Sequence, residues 1–220
     1  LDQMYFLQEK EREVLALFRD GILEHVYPAF FRAMSNVDHL GLTLSISMAG
    51  YVLGGSSYFQ AFFFGFAWAG LIYSCCHEIY NSYMMRRLNT DMADIESSYL
   101  ENPDNGFWVA EADVNGQTRV VGIMGRFNDW NGGVKVCHLV VAFPWRRKEL
   151  GSQLSRKALE FCKERGFTRL AVDLSSPQTA AISMYQKLGF VQTASHSNTH
   201  TNKWFSKLAR INVVHLEKII

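Results

Sequence analysis

The chain has 220 residues, a length that favours one domain or one domain with an appendage. Its 22 Lys+Arg against 21 Asp+Glu leave a formal net charge of +1, which excludes the broad basic footprint of a nucleic-acid binder. With 48% apolar and 14% aromatic residues it is not disordered, and four Cys in this length make no disulfide scaffold.

At the N-terminus, Met4 to Gln8 reads as a strand. Glu9 to Phe18 reads as a helix, with Val14, Leu15 and Phe18 on one side. No Asp, Glu, Lys or Arg occurs between Asp38 and Glu78. The apolar run Leu40 to Cys76 exceeds the roughly 20 residues a helix needs to cross a bilayer. Gly54-Gly55-Ser56-Ser57 breaks it into two helical pieces, 40–53 and 58–76. Neither piece keeps the polar stripe of a soluble helix, so a membrane hairpin is expected rather than a buried one. A signal peptide is not expected, because the run starts far from residue 1 and lacks a basic segment immediately before it. Arg19 and Arg32 precede the run and Arg86 and Arg87 follow it, which puts both flanks on the cytosolic side. Cys75 and Cys76 fall at the boundary, either as filler or as acylation sites.

Asp91 to Leu100 reads as a short helix capped by Thr90 or Asp91. Then follow a strand at Phe107–Glu111, a hairpin turn at Asn115-Gly116, and a partner strand from Arg119 to Arg126. Gly132-Gly133 marks the next turn, and Val134 to Val141 is a longer strand. Leu150 to Arg165 is a helix with Leu150, Leu154, Ala158, Phe161 and Cys162 on one face, ended by Gly166. Leu170–Leu174 suits a parallel strand covered on both faces. A second helix, Thr179 to Leu188, precedes closing strands at 190–193 and 211–216. Strand, helix, strand, helix, strand after residue 134 argues for a βαβ core.

The loop between the 134–141 strand and its helix carries Arg146, Arg147 and Lys148, followed by Glu149, Leu150, Gly151 and Ser152. Helix N-termini bind phosphate because their first N–H groups lack partners and the dipole favours negative charge. By itself the pattern equally describes a basic surface loop.

Arg146-Arg147-Lys148-Glu149-Leu150-Gly151 resembles the acetyl-CoA-binding motif Arg/Gln-x-x-Gly-x-Gly/Ala of the GCN5-related (GNAT) N-acetyltransferase superfamily. Ala181 to Phe190 is similar to that superfamily's Ala-x-x-x-Tyr-x-x-x-Gly-Phe, with Tyr185 at the tyrosine. The whole chain resembles the camello-like N-acetyltransferases through residues 18–25, Thr90–Ile95, Ser98-Tyr99-Leu100, Phe107–Glu111 and His138-Leu139. That branch includes the membrane-bound cysteine S-conjugate N-acetyltransferase.

The resemblance implies an α/β fold, with a mixed central sheet flanked by helices and an inserted hydrophobic membrane hairpin. Residues 1–38 would supply the first strand and helix, 39–77 the membrane hairpin, and 78–220 the acetyltransferase core. It further implies acetyl-CoA as cosubstrate, with Val140 and Val141 presenting backbone N–H groups from a splayed strand. Arg146, Arg147, Lys148, Leu150, Gly151 and Ser152 would hold the diphosphate, and Tyr185 would protonate the departing thiolate. The superfamily glycine is Glu149 here, which brings a side chain and a negative charge to the phosphate site.

Candidates for the general base are His138, Glu111 or a water chain. Strict alternation puts His138 on the face of Val136 and Val140, unless a bulge near Val140 changes the count. His196 and His200 are read as an acceptor-site loop, and no metal is expected. The implied partners are an amine acceptor and membrane lipid. The acceptor is a small molecule such as a cysteine S-conjugate, or alternatively protein lysine side chains; a catalytically weakened relative is a third reading. Family analogy implies the endoplasmic reticulum membrane with a cytosolic catalytic domain. If the first strand and helix join the core, the apolar run must return to its starting side.

Overall fold

The computed structural model describes residues 2–128, 134–199 and 201–220. Helix α1 runs Asp2–Leu23, so Met4 to Gln8 is helical and the expected first strand is absent. No Gly or Pro separates that pentapeptide from the Glu, Lys and Arg of residues 9–13, and these good helix formers carry the helix back to its start. Next come α2 (Val26–Met34), α3 (Val37–Leu53) and α4 (Tyr58–Leu88). Asp91 to Leu100 is not one helix: a turn leads into a π-helical turn at Glu96–Leu100. The physical reason is that the Asp91 carboxylate is drawn into a buried cluster instead of capping a helix.

The strands are β1 (Gly106–Val114), β2 (Gln117–Asn128), β3 (Val134–Val141), β4 (Arg169–Ser175), β5 (Val191–His196) and β6 (Val213–Ile219). They form one sheet in the order β1-β2-β3-β4-β6-β5. Asn115 (φ 57°) and Gly116 (φ 78°) both take positive φ, which makes the expected two-residue hairpin. Helix α5 (Leu150–Glu164) crosses from β3 to the parallel β4, and α6 (Thr179–Lys187) follows β4. The Gly132-Gly133 turn lies outside the described residues. Helix α7 (Lys203–Ala209) was not expected. Its signal was Asn202, whose side chain accepts from the Trp204 N–H at 3.0 Å.

Three apolar clusters organise these elements. On one face of the sheet α5 and α6 cover Val134, Val136, Leu170 and Val172. On the other face α1 and the 92–99 segment cover Ile123, Cys137 and Val140. The third joins α2 and α7 to the second half of α4, from Ile72 to Tyr80. Cys75 (2% exposed) and Cys76 (0%) lie inside it, so neither thiol is open to acylation. Glu13 accepts from the Val120 N–H at 2.9 Å, and Lys10 donates to the Thr118 carbonyl. The segments before and after the apolar run therefore belong to one folded unit.

Helix α4 is long and apolar enough to cross a membrane, and only 22% of its most apolar 18-residue stretch is buried in the protein. Helix α3 is apolar but shorter. The two pack against each other through a tight turn at Gly55 and Ser56, both at positive φ.

Helix α1 meets β3 without a spacer: a Cβ on Gly21 would collide with the Val140 side chain. Gly21→Ala is expected to cost about 1–3 kcal/mol of stability, read from denaturant unfolding.

Candidate active site

Strands β3 and β4 are paired only from Val134 to Val136, opposite Leu170 to Val172. Beyond that point β3 continues to Val141 without β4 beside it. A bulge accompanies the split. Between Ile123 and Gly125 of β2 the partners step from Val140 to Cys137, leaving an extra residue on β3. His138 takes it up with φ 55°. As a result Cys137 and His138 face the α1 side together, and Val140 follows them there while Val136 does not. Strict alternation therefore fails at His138.

The loop after β3 turns through a 3₁₀ segment, Phe143–Trp145, into α5. Arg146 donates from Nε to the Val141 carbonyl at 2.8 Å and pairs through Nη2 with Glu24 at 2.5 Å. Its side chain thus braces the loop against the end of α1. Lys148 lies over the Trp145 ring at 4.7 Å, and Arg147 is exposed. Arg147 (φ 59°) and Glu149 (φ 62°) are both left-handed, a backbone form that gathers N–H groups into an anion-binding concavity. Glu149 is the N-cap residue of α5, and its side chain makes no capping hydrogen bond. The first N–H groups of α5, at Leu150, Gly151 and Ser152, therefore face the concavity without intrahelical partners. Glu149 copies the glycine conformation and turns its own side chain out to solvent. These features fit a diphosphate, and with it acetyl-CoA.

Tyr185 on α6 is fully buried, 5.0 Å from the Phe190 ring between centroids. Its hydroxyl has no hydrogen-bond partner among the described residues. Burial pushes the phenol well above its usual range, with Ser155 pulling the other way. Ser155 itself donates to the Gly151 carbonyl at 2.8 Å, which links the tyrosine's surroundings to the start of α5. A buried, unpaired donor costs free energy until something accepts from it. This is the property wanted of a group that meets a departing thiolate.

His138 lies on the opposite face of the sheet. Its side chain is fully buried, and Nε2 lies 2.5 Å from Asp91 Oδ2. Tyr99 also donates to that oxygen, and Arg87 sits 3.4 Å from Oδ1. Burial alone would lower the imidazole pKa, but Cys137 and Asp91 outweigh it and push His138 up to about 9. Burial would likewise raise Asp91, yet His138, Tyr99 and Arg87 hold its carboxyl well below the usual range. At neutral pH this is a closed ion pair with no proton vacancy. His138 is thus held at the bulge by Asp91, on the face of the sheet opposite Tyr185. Asp91, Cys137 and His138 also bring three donor atoms within 4.8 Å of one another. The charge of Asp91 is already met there by His138 and Arg87.

Glu111 pairs with Lys10 at 3.6 Å on the outermost strand, two strands from the gap. His196 ends β5 in an exposed position, and His200 lies outside the described residues. Sequence reasoning missed a charged group on the α1 side of β3, β4 and β6. Lys135 Nζ is 2.6 Å from Asp173 Oδ2, His215 Nδ1 is 2.5 Å from Asp173 Oδ1, and His215 Nε2 is 3.0 Å from Glu217. Burial opposes both shifts, but the contacts lower Asp173 and raise His215. The alternating apolar and polar residues of β4 and β6 were the available signal, since Asp173 and His215 are register partners.

A sheet that splits beside an uncapped helix start, over a buried tyrosine, defines an acetyltransferase of the GNAT class. The family model "Acetyltransferase (GNAT) family" matches residues 72–190. N-acetyltransferase family 8 member 3 of Mus musculus is 31% identical over 87% of this chain and 85% of its own. Probable N-acetyltransferase camello of Xenopus laevis is 30% identical over 79% of this chain and 78% of its own. N-acetylaspartate synthetase of Homo sapiens is 28% identical over 84% of this chain and 60% of its own. Among solved structures, an acetyltransferase of GNAT family from Streptococcus pneumoniae is 23% identical, with a TM-score of 0.48 over 59% of this chain and 74% of that one. The chain belongs to the GNAT family, in the camello-like branch of the family 8 N-acetyltransferases, and is an acetyl-CoA-dependent N-acetyltransferase.

Two outcomes follow from the geometry. A left-handed non-glycine residue costs about 1 kcal/mol or more. Glu149→Gly should raise stability by about that amount, while calorimetry shows the Kd for acetyl-CoA changed by less than about tenfold, or about 1.4 kcal/mol. The His138–Asp91 pair carries a pH signature. His138 is raised from the unfolded value of about 6.5 to about 9, so its contribution is complete below pH 6.5 and disappears as pH rises through 9. Asp91 is lowered, so its contribution is complete above about pH 4 and is lost as pH falls. Between pH 7 and 10 the melting temperature should fall more steeply for the wild type than for His138→Gln. Parallel curves would refute the ion pair.

Proposed function

We propose that this enzyme is membrane-bound and moves the acetyl group of acetyl-CoA to the amino group of a small acceptor such as a cysteine S-conjugate. The observation that carries the transfer chemistry is the unpaired hydroxyl of Tyr185, buried in the core beneath β3 and β4. In this reading the α5 N-terminus and the Arg147–Glu149 backbone take the diphosphate. Val140 and Val141 border the thioester on the free edge of β3.

The acceptor amine must arrive neutral. Its lone pair adds to the thioester carbonyl carbon, and the C–S bond breaks as the carbonyl re-forms. The nitrogen loses a proton to solvent and the sulfur leaves as a thiolate. Tyr185 keeps its proton at every working pH, because burial raises the phenol. It therefore has a hydrogen to offer the thiolate, whose basicity rises in the same dry surroundings. His138 is already protonated at neutral pH, so the amine's proton is assigned to water on the α1 side.

Membrane attachment is assigned to α3 and α4 together, as a hairpin that enters and leaves on one side. It is supported by their exposed apolar surfaces, such as Leu53 at 84% and Phe59 at 78%. Arg86 and Arg87 at the end of α4 favour a cytosolic catalytic domain. The endoplasmic reticulum rests on resemblance to the camello-like branch alone. The relative named for N-acetylaspartate favours a small amino acid as acceptor over protein lysine. Lys135, among the charged groups on the α1 side, offers a cation for the carboxylate of such an acceptor.

The test is acetyl transfer from labelled acetyl-CoA to S-alkyl cysteines and to a lysine peptide, with Tyr185→Phe alongside. The expected result is turnover of the S-alkyl cysteines and a fall in kcat of about 10²–10⁴-fold in the variant, with acetyl-CoA affinity retained. Turnover of the peptide alone would move the acceptor to protein lysine. An unchanged kcat in Tyr185→Phe would remove the tyrosine from the chemistry.

A further inference from the structure

Helix α2 is apolar on both sides. Val26, Ala29 and Ala33 are buried against α4, while Tyr27 (61% exposed) and Phe31 (63%), one turn apart, point away from the protein with Pro28 between them. A surface helix in water keeps its outer face polar, and an apolar helix all round is covered by something. This outer face continues into the apolar run. Tyr27 and Phe30 both contact the Tyr73 ring, at 5.7 and 5.8 Å between centroids. Tyr73 stands where the exposed stretch of α4 ends and the buried stretch begins. Exposed apolar residues resume at Val37 and Leu40, directly after α2. Tyr at the edge of an apolar span, with a basic residue beside it, is the composition of a membrane interface, and Arg32 supplies that residue.

We infer that α2 is a second, peripheral membrane contact: its Tyr27–Phe31 face rests on the bilayer surface beside the inserted hairpin and seats the open edge of the sheet there. This rests on the hairpin reading above. The link to the site is direct. Arg32 donates to the Ser176 carbonyl, and Tyr80 of α4 shares a hydrogen bond with Ser175 at 2.9 Å. Ser175 ends β4 and Ser176 follows it directly, where β3 has already parted from the strand. Glu24, at the corner between α1 and α2, holds Arg146 of the phosphate loop. The elements set on the membrane are thus the ones that grip the mouth of the gap. An amine with an apolar tail reaches that mouth from the interface without passing through water.

Nitroxide labels at Phe31→Cys, Phe62→Cys and Lys157→Cys test this in phosphatidylcholine/phosphatidylserine nanodiscs holding the full chain. The four native cysteines are buried and stay unlabelled in the folded protein. Collision with oxygen against a water-soluble nickel chelate reads depth. The expected order is position 62 deepest, 31 at headgroup level and 157 in water. If 31 matches 157 while 62 is in lipid, the α2 contact is overturned and the hairpin stands. If 62 also matches 157, both are overturned. If 31 is shielded from both reagents, a protein surface covers α2 and the contact with lipid is overturned.

Discussion

His138 occupies a left-handed conformation in the middle of a strand, and Asp91 meets its imidazole there with a partly buried ion pair. Such a conformation is uncommon outside glycine, although His is among the residue types enriched in it. The extra residue it introduces changes the side-chain alternation of β3 and coincides with the loss of pairing to β4. The register shift against β2 lies directly beyond the last β3–β4 pair at Val136 and Val172. Phe18 of α1 and Tyr99 lie edge-on to the imidazole and enclose it, so α1 and the turn after α4 both hold the bulge in place.

Each part of the site has a different kind of support. The phosphate loop depends on backbone: two left-handed residues and an uncapped helix start. Glu149 takes a left-handed φ of 62° with its side chain exposed. Tyr185 depends on burial, which raises its phenol, while Ser155 pulls the other way. The charged group around Asp173 depends on register, since β4 and β6 bring Asp173 and His215 opposite each other.

The apolar hairpin and the catalytic sheet are not separate modules. The half of α4 nearest the sheet is a core helix, packed on α2 and α7, and the other half is exposed and apolar. One continuous helix thus passes from the protein interior to a surface that water does not suit. This explains why the insertion does not split the fold: Lys10 and Glu13 reach β2 from α1 across more than a hundred residues of chain.

Local chemistry in the sequence was enough for the elements whose cause is local. The Asn115-Gly116 turn, the 134–141 strand, the amphipathic α5, its Gly166 stop and the break at Gly54-Gly55 each follow from a few adjacent residues. The family was legible too, through its resemblance at 146–151 and 181–190, and the GNAT family model matches residues 72–190. Tertiary structure decided the rest. Met4 to Gln8 became helix because the adjoining helix formers extend through this short, largely apolar segment. Asp91 left its capping position because a distant histidine offered a buried partner. His138 and Cys137 came to share a face because of a register shift that periodicity cannot encode. Asp173, His215 and Glu217 carry no motif, and only the pairing of β4 with β6 makes them neighbours. Spacing along the chain specifies what one element does, whereas contacts between elements depend on how the strands are aligned.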